Sequence, residues 1–136
     1  MTHLAVLFLA LAASLALQTQ TPQRAKPAAQ TQKQPCADAR SQSEMNQCAF
    51  DEYKKADAEL NHVYQQLLPK LEAAHQEKLK AAQRAWVTFR DADCEYEAFA
   101  FEGGSMQPLI RYSCLETATK ARTAQLLGFL KDLSGR

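Results

Sequence analysis

Cys36, Cys48, Cys94 and Cys114 are the residues of this 136-residue chain whose possible chemistry is simplest to state. As free thiolates they would be nucleophiles or metal ligands, and as pairs they would be disulfides. No two stand at Cys-x-x-Cys spacing and no histidine couple lies near them, so a zinc site is not expected. His3 falls in an N-terminal apolar run, while His62 and His75 stand alone among polar neighbours. Asp57 and Glu59 lie close to His62, but no nucleophile is identifiable beside it, so a general-base arrangement lacks its acceptor. The chain has no Gly-x-Ser-x-Gly elbow, phosphate loop or dinucleotide fingerprint. These residues argue against an enzyme and against a metal or any other cofactor.

A second pattern is electrostatic. From Asp91 to Glu102 the chain reads DADCEYEAFAFE, with the carboxylates of Asp91, Asp93, Glu95, Glu97 and Glu102 and no base. Clustered acids near a helix C-terminus oppose the partial negative charge already there, so the cluster is not explained by helix stability. The formal charge of the whole chain is +1. Arg24, Lys26 and Lys33 precede Cys36, which leaves 13 Lys+Arg against 15 Asp+Glu from Cys36 onward. An acidic end of this kind steers cationic partners toward itself. Tyr96, Phe99 and Phe101 are interleaved with the acids, a mixture suited to a protein interface, with burial in the core as the alternative for the rings. Candidate partner-binding residues are therefore Glu95, Glu97 and Glu102 with the loop Gly103, Gly104 and Ser105, since rigid scaffolds usually present function on loops. No basic stripe points to nucleic acid. The polar helix faces mix both signs, so none reads as a helix lying on a membrane.

The elements that position these residues follow from composition. Leu4 to Leu17 is uncharged and too short for a comfortable membrane span of about 20 residues. It has the length of a secretory h-region, and Ser14-Leu15-Ala16 offers small residues where a signal peptidase reads. Residues 1–17 are thus read as a signal peptide, which implies a periplasmic or secreted protein not inserted in the membrane after cleavage. Residues 18–35 (QTQTPQRAKPAAQTQKQP) are too polar to bury a core and are read as a Gln/Pro-rich disordered spacer. Residues 36–136 remain as the folded domain. An even cysteine count in an exported chain argues for two disulfides.

Within the domain, Ala, Leu, Gln, Glu and Lys dominate and no glycine occurs between Cys36 and Gly103, which favours helices. Ser41-Gln42-Ser43-Glu44 fits a capping box opening the first helix. Behind it, Met45, Cys48, Ala56, Leu60, Val63, Tyr64, Leu67 and Leu71 form one apolar stripe, and Pro69 near its end should kink or close the helix. A second helix is expected from about Gln76 to Ala100, with Leu79, Ala82, Trp86 and Phe89 inward. After the Gly103–Pro108 loop a third follows, with Leu115, Ala118, Leu126, Phe129 and Leu133 inward. The fold class is all-α: a small antiparallel bundle of about three helices. Short connections then bring all four cysteines to one pole. Three pairings remain open, with the local ones, Cys36–Cys48 and Cys94–Cys114, preferred.

Several residues also carry a family resemblance: Cys36 with Cys48; Ala56-Asp57, Leu60-Asn61 and Tyr64; Gln83-Arg84 and Trp86; Phe89-Arg90-Asp91 with Cys94. Gly103-Gly104-Ser105 and Cys114-Leu115 with Thr119, Arg122 and Leu126 continue the order. In that order and spacing the chain resembles the lysozyme inhibitor LprI-like N-terminal domain of exported and periplasmic bacterial proteins. The resemblance spans essentially all of residues 36–136. It implies a compact, disulfide-bonded helical domain that inhibits lysozyme, a cationic partner consistent with the acidic stretch. An envelope structural or stress module binding another periplasmic partner is the alternative reading.

Overall fold

The computed structural model describes residues 36–135. The signal peptide and spacer expected at 1–17 and 18–35 lie outside the described residues. Three helices make up the domain: α1 (Gln42–Leu67), α2 (Ala73–Phe99) and α3 (Gln107–Ser134). No strand occurs among the described residues.

α1 starts where its capping signals place it. Ser41 is extended and its hydroxyl accepts from the Glu44 amide at 3.2 Å, while the Glu44 carboxylate accepts from the Ser41 and Arg40 amides. Those two backbone donors, Arg40 first, hold the Glu44 carboxyl below its ordinary pKa. Pro69 sits inside a short 3-10 turn, Leu68–Lys70, that reverses the chain into α2. Pro108 lies in the first turn of α3, where its missing N–H is harmless.

α3 lies against both other helices, most extensively against α1, and runs parallel to it. The starts of α1 and α3 meet the end of α2 at one pole, where the Asn46 side-chain amide donates to the Ser105 carbonyl at 2.9 Å. The opposite, leucine-rich pole holds the main apolar cluster of Leu60, Val63, Leu67, Leu79 and Leu126. Each buried leucine of this kind contributes about 2 kcal/mol through area removed from water.

Between the two poles lies a polar layer. Arg90 is buried, 6% exposed, yet ionised partners surround it. Its guanidinium pairs with Asp91 at 2.8 Å and Asp57 at 3.5 Å and donates to Thr119 at 3.3 Å. The rings of Tyr53 and Trp86 also lie within 5.6 Å of it. Burial, with the Asp57 and Asp91 charges, raises the Tyr53 pKa against the opposing pull of Arg90. Among the described residues, no buried side-chain nitrogen or oxygen lacks a hydrogen-bond partner.

Two inward-facing aromatics expected from periodicity face outward instead. The buried line of α2 runs through Arg90, Cys94 and Ala98, four residues apart. Cys94 must reach its partner on α3, and Phe89 stands five residues earlier, about 140° around the helix. Phe129 is also exposed, at the rim of α3 beside Leu71 and His75. The α1 helix has already ended at Leu67, so little chain remains to cover it. Thr119 and Thr123 are buried instead, the Thr123 hydroxyl donating to the Thr119 carbonyl at 2.9 Å.

A candidate partner-binding pole

All four cysteines are paired locally, Cys36 with Cys48 and Cys94 with Cys114. The first bond ties the segment before α1 to that helix, and Cys36 occupies left-handed backbone at φ 72°. The second joins the last turns of α2 to the second turn of α3. Beside it Arg111 Nε donates to Glu95 at 2.9 Å, while Tyr112 meets Phe50 edge-on and stacks on Tyr53. α2 and α3 are thus clamped just below the loop that connects them.

That loop, residues 100–106, is held by its own backbone. The amides of Phe101, Glu102 and Gly104 donate to the carbonyls of Ala98, Phe99 and Phe101 at 2.9–3.0 Å. Gly103 takes φ +73°, a conformation that side chains disfavour, and its amide donates to the Gln107 side chain at 3.2 Å. A Cβ on Gly104 would lie 3.1 Å from the Phe101 carbonyl oxygen. Ser105 contributes its carbonyl to Asn46, so the loop is pinned to α1 as well. The result is a small loop held in one conformation by these contacts.

The sequence-based candidates divide. Glu97, Glu102, Gly103, Gly104 and Ser105 are exposed at this pole, whereas the charge of Glu95 is matched by Arg111. Neither Glu97 nor Glu102 forms an ion pair among the described residues, and the same holds for Asp93, which was not singled out. Asp93 and Glu97 share the rim of a shallow groove floored by Ile110, Ser113 and Thr117 of α3. The α1 acids nearest this pole are absorbed locally: Glu44 caps the helix, Asp51 accepts from Gln47, and Glu52 pairs with Lys55. Asn46 was missed entirely, since nothing in its neighbourhood signals a contact 59 residues away. Tyr96, Phe99, Phe101 and Met106 are all exposed around these acids.

No group of three or more His, Cys, Asp or Glu side chains among the described residues is placed to hold a metal ion. No described helix is long and apolar enough to cross a membrane. The pole presents exposed carboxylates beside a loop held by its own backbone hydrogen bonds.

A family model described as Lysozyme inhibitor LprI matches residues 34–126, spanning both disulfides and all but the last turns of α3. An uncharacterized protein of Rhizobium meliloti (strain 1021) is 40% identical over 114 residues, covering 74% of this chain and 82% of the relative. No solved structure matches the chain. With most of its folded part matched, the chain belongs to the LprI lysozyme-inhibitor family.

Proposed function

We propose that the domain is exported to the periplasm or beyond and inhibits a cationic lysozyme-type cell-wall hydrolase by occlusion with its cysteine pole. The observation that carries this reading is the pair of unneutralised carboxylates, Glu97 and Glu102, beside a loop locked by Gly103, Gly104 and Asn46. Lysozyme-type glycosidases work through paired carboxylates in a cleft. Covering that cleft needs shape and charge but no chemistry from the inhibitor. Acids at the pole raise the encounter rate with a basic enzyme, and the exposed aromatics supply contact area at low entropic cost. Two disulfides suit an oxidising compartment outside the cytoplasm.

The test is a titration of the oxidised protein into a lysozyme activity assay at low and moderate salt. Dose-dependent inhibition that weakens as salt rises is expected, because exposed charges are screened within about 8 Å at physiological ionic strength. Replacing Glu95, Glu97 and Glu102 by Gln together should weaken inhibition and flatten its salt dependence. Glu95→Gln alone should also weaken inhibition, because it leaves the Arg111 guanidinium unpaired at the pole. Absence of inhibition at micromolar excess, at either salt, would defeat the reading.

A further inference from the structure

The cysteine pole leaves unused a second set of polar side chains, lower on the bundle. Asp57, Asn61 and Tyr64 of α1 and Gln83, Arg84 and Arg90 of α2 line one trough between the two helices. The trough exists because α1 and α2 each pack on α3 and hardly on each other. Its volume is about 440 Å³, within the range of small-molecule sites. Leu60, Val87 and the rings of Tyr53 and Tyr64 give it apolar walls. The buried Arg90, fixed by Asp57, Asp91 and Thr119, forms one end of it.

Cations outnumber carboxylates along this lining: Lys80, Arg84 and Arg90 stand against Asp57. Lys80 is matched by Glu77, and Arg90 by Asp57 and Asp91. Arg84 forms no ion pair among the described residues. Arg122 reaches in from α3, its Nε donating to the Gln83 side-chain oxygen at 3.0 Å. Its other hydrogen bond also ends on an amide oxygen, that of Gln125. Two guanidinium groups beside Gln83 thus have no carboxylate among the described residues. Burial holds the Arg122 pKa below its ordinary value. A half-buried cation without a counter-charge costs free energy that an arriving anion would recover. The Gln83 NH2 and the hydroxyls of Tyr53 and Tyr64 likewise make no hydrogen bond to another described residue. This surplus of donors stands in a domain whose acids outnumber its bases.

We propose that the trough binds a small organic carboxylate with an apolar body. The carboxylate lies on the Arg84 guanidinium and the Gln83 NH2, and the body against Tyr64, Leu60 and Val87. A guanidinium holds a carboxylate through two parallel hydrogen bonds, a match of shape as well as charge. An inorganic anion would gain the charge but nothing from the apolar walls. Arg122 adds positive charge from α3 and keeps the Gln83 oxygen occupied, so that Gln83 offers its donors. Glu97, Glu102 and the Gly103–Ser105 loop take no part in the trough, so the inference stands apart from lysozyme inhibition.

The test is a titration of the oxidised, isotope-labelled protein with N-acetylleucine, followed by amide and side-chain NMR. Saturable shifts confined to the trough are expected, with a Kd of about 1 mM or tighter. They should include the indole N–H of Trp86, whose ring lies 5.0 Å from the Arg90 guanidinium and 5.8 Å from that of Arg122. The neutral N-acetylleucinamide and inorganic phosphate should each bind about tenfold more weakly or worse, the worth of one charged hydrogen-bonded contact. Arg84→Gln should weaken N-acetylleucine by a similar factor, with Arg84→Lys between it and the wild type. Arg84 is exposed, so the remainder of the spectrum should be unchanged, and lysozyme inhibition should be unaffected. No saturable shift up to about 10 mM overturns the proposal. Equal binding of the amide or of phosphate overturns it too, as does full affinity in Arg84→Gln. A wild type that ignores N-acetylleucine while Arg84→Gln loses lysozyme inhibition would give the trough to the hydrolase, and would equally overturn it.

Discussion

The two poles of the bundle are held together by different means. At the turn between α1 and α2, Leu60, Val63, Leu67, Leu79 and Leu126 bury their side chains against one another. At the other pole the buried positions go to small residues, Ala49, Cys94 and Ala98, beside Leu115. There the large apolar groups, Tyr96, Phe99, Phe101 and Met106, point outward. Covalent bonds replace packing: both disulfides are at this pole, and the Arg90 layer closes off the leucine cluster below it. With Phe50, Tyr53 and Tyr112 packed beside the disulfides, the pole does not need its outer aromatics for its own core. It can offer them, with unpaired acids, to something else.

This contrast is open to direct challenge by substitution. Leu126→Ala should cause the largest loss, about 4 kcal/mol, because the side chain is fully buried and the pocket cannot collapse around it. Chemical denaturation reads that loss. Replacing Cys94 and Cys114 together by Ser should cost about 3 kcal/mol. Hydrogen exchange should then quicken in the segment between them more than among the leucines. A uniform increase over both poles would mean that the two are not held by different means. Arg90→Met should cost about 2 kcal/mol, since it leaves Asp57 and Asp91 without their cation, although both are exposed enough to rehydrate.

Smaller effects sharpen the same line. Ser41→Ala removes the cap of α1 and should cost about 1 kcal/mol. The partner of that cap supplies a pH signature. The folded-state pKa of Glu44 is lowered, so its contribution is present above the ordinary carboxylate pKa. It is lost as pH falls through the lowered value. The stability difference between wild type and Glu44→Gln should therefore shrink in acid and hold at neutrality. Least of all, Tyr96→Ala should change the stability of the monomer by no more than about 0.5 kcal/mol despite the size of the ring. A loss of several kcal/mol would mean that this aromatic belongs to the core after all.

Much of the fold was legible in the residues. The Ser41–Glu44 box, the apolar line through Leu60, Val63 and Leu67, and the break at Pro69 are local signals, and local interactions decide them. The disulfide pairing followed the preference for short loops. Phe89 and Phe129 were misplaced because helical periodicity finds an apolar face without fixing which way the helix turns. The Cys94 bond and the early end of α1 decide that, and both are tertiary facts. Of the site, the acids and the glycine loop stood out by composition. The neutralisation of Glu95 by Arg111 and the pinning of Ser105 by Asn46 depend on contacts between distant segments. Single-chain patterning carries no trace of such contacts.

On the proposed function, the pole locked by the cysteines is the one that meets the partner. Hydrogen exchange of the oxidised protein, alone and with excess lysozyme, tests it most directly. Slowed exchange confined to residues 95–106 and the first turns of α1, with no change near Lys70, His75 and Phe129, is the expected result. Protection at the leucine pole, with the Gly103–Ser105 loop unaffected, would contradict it.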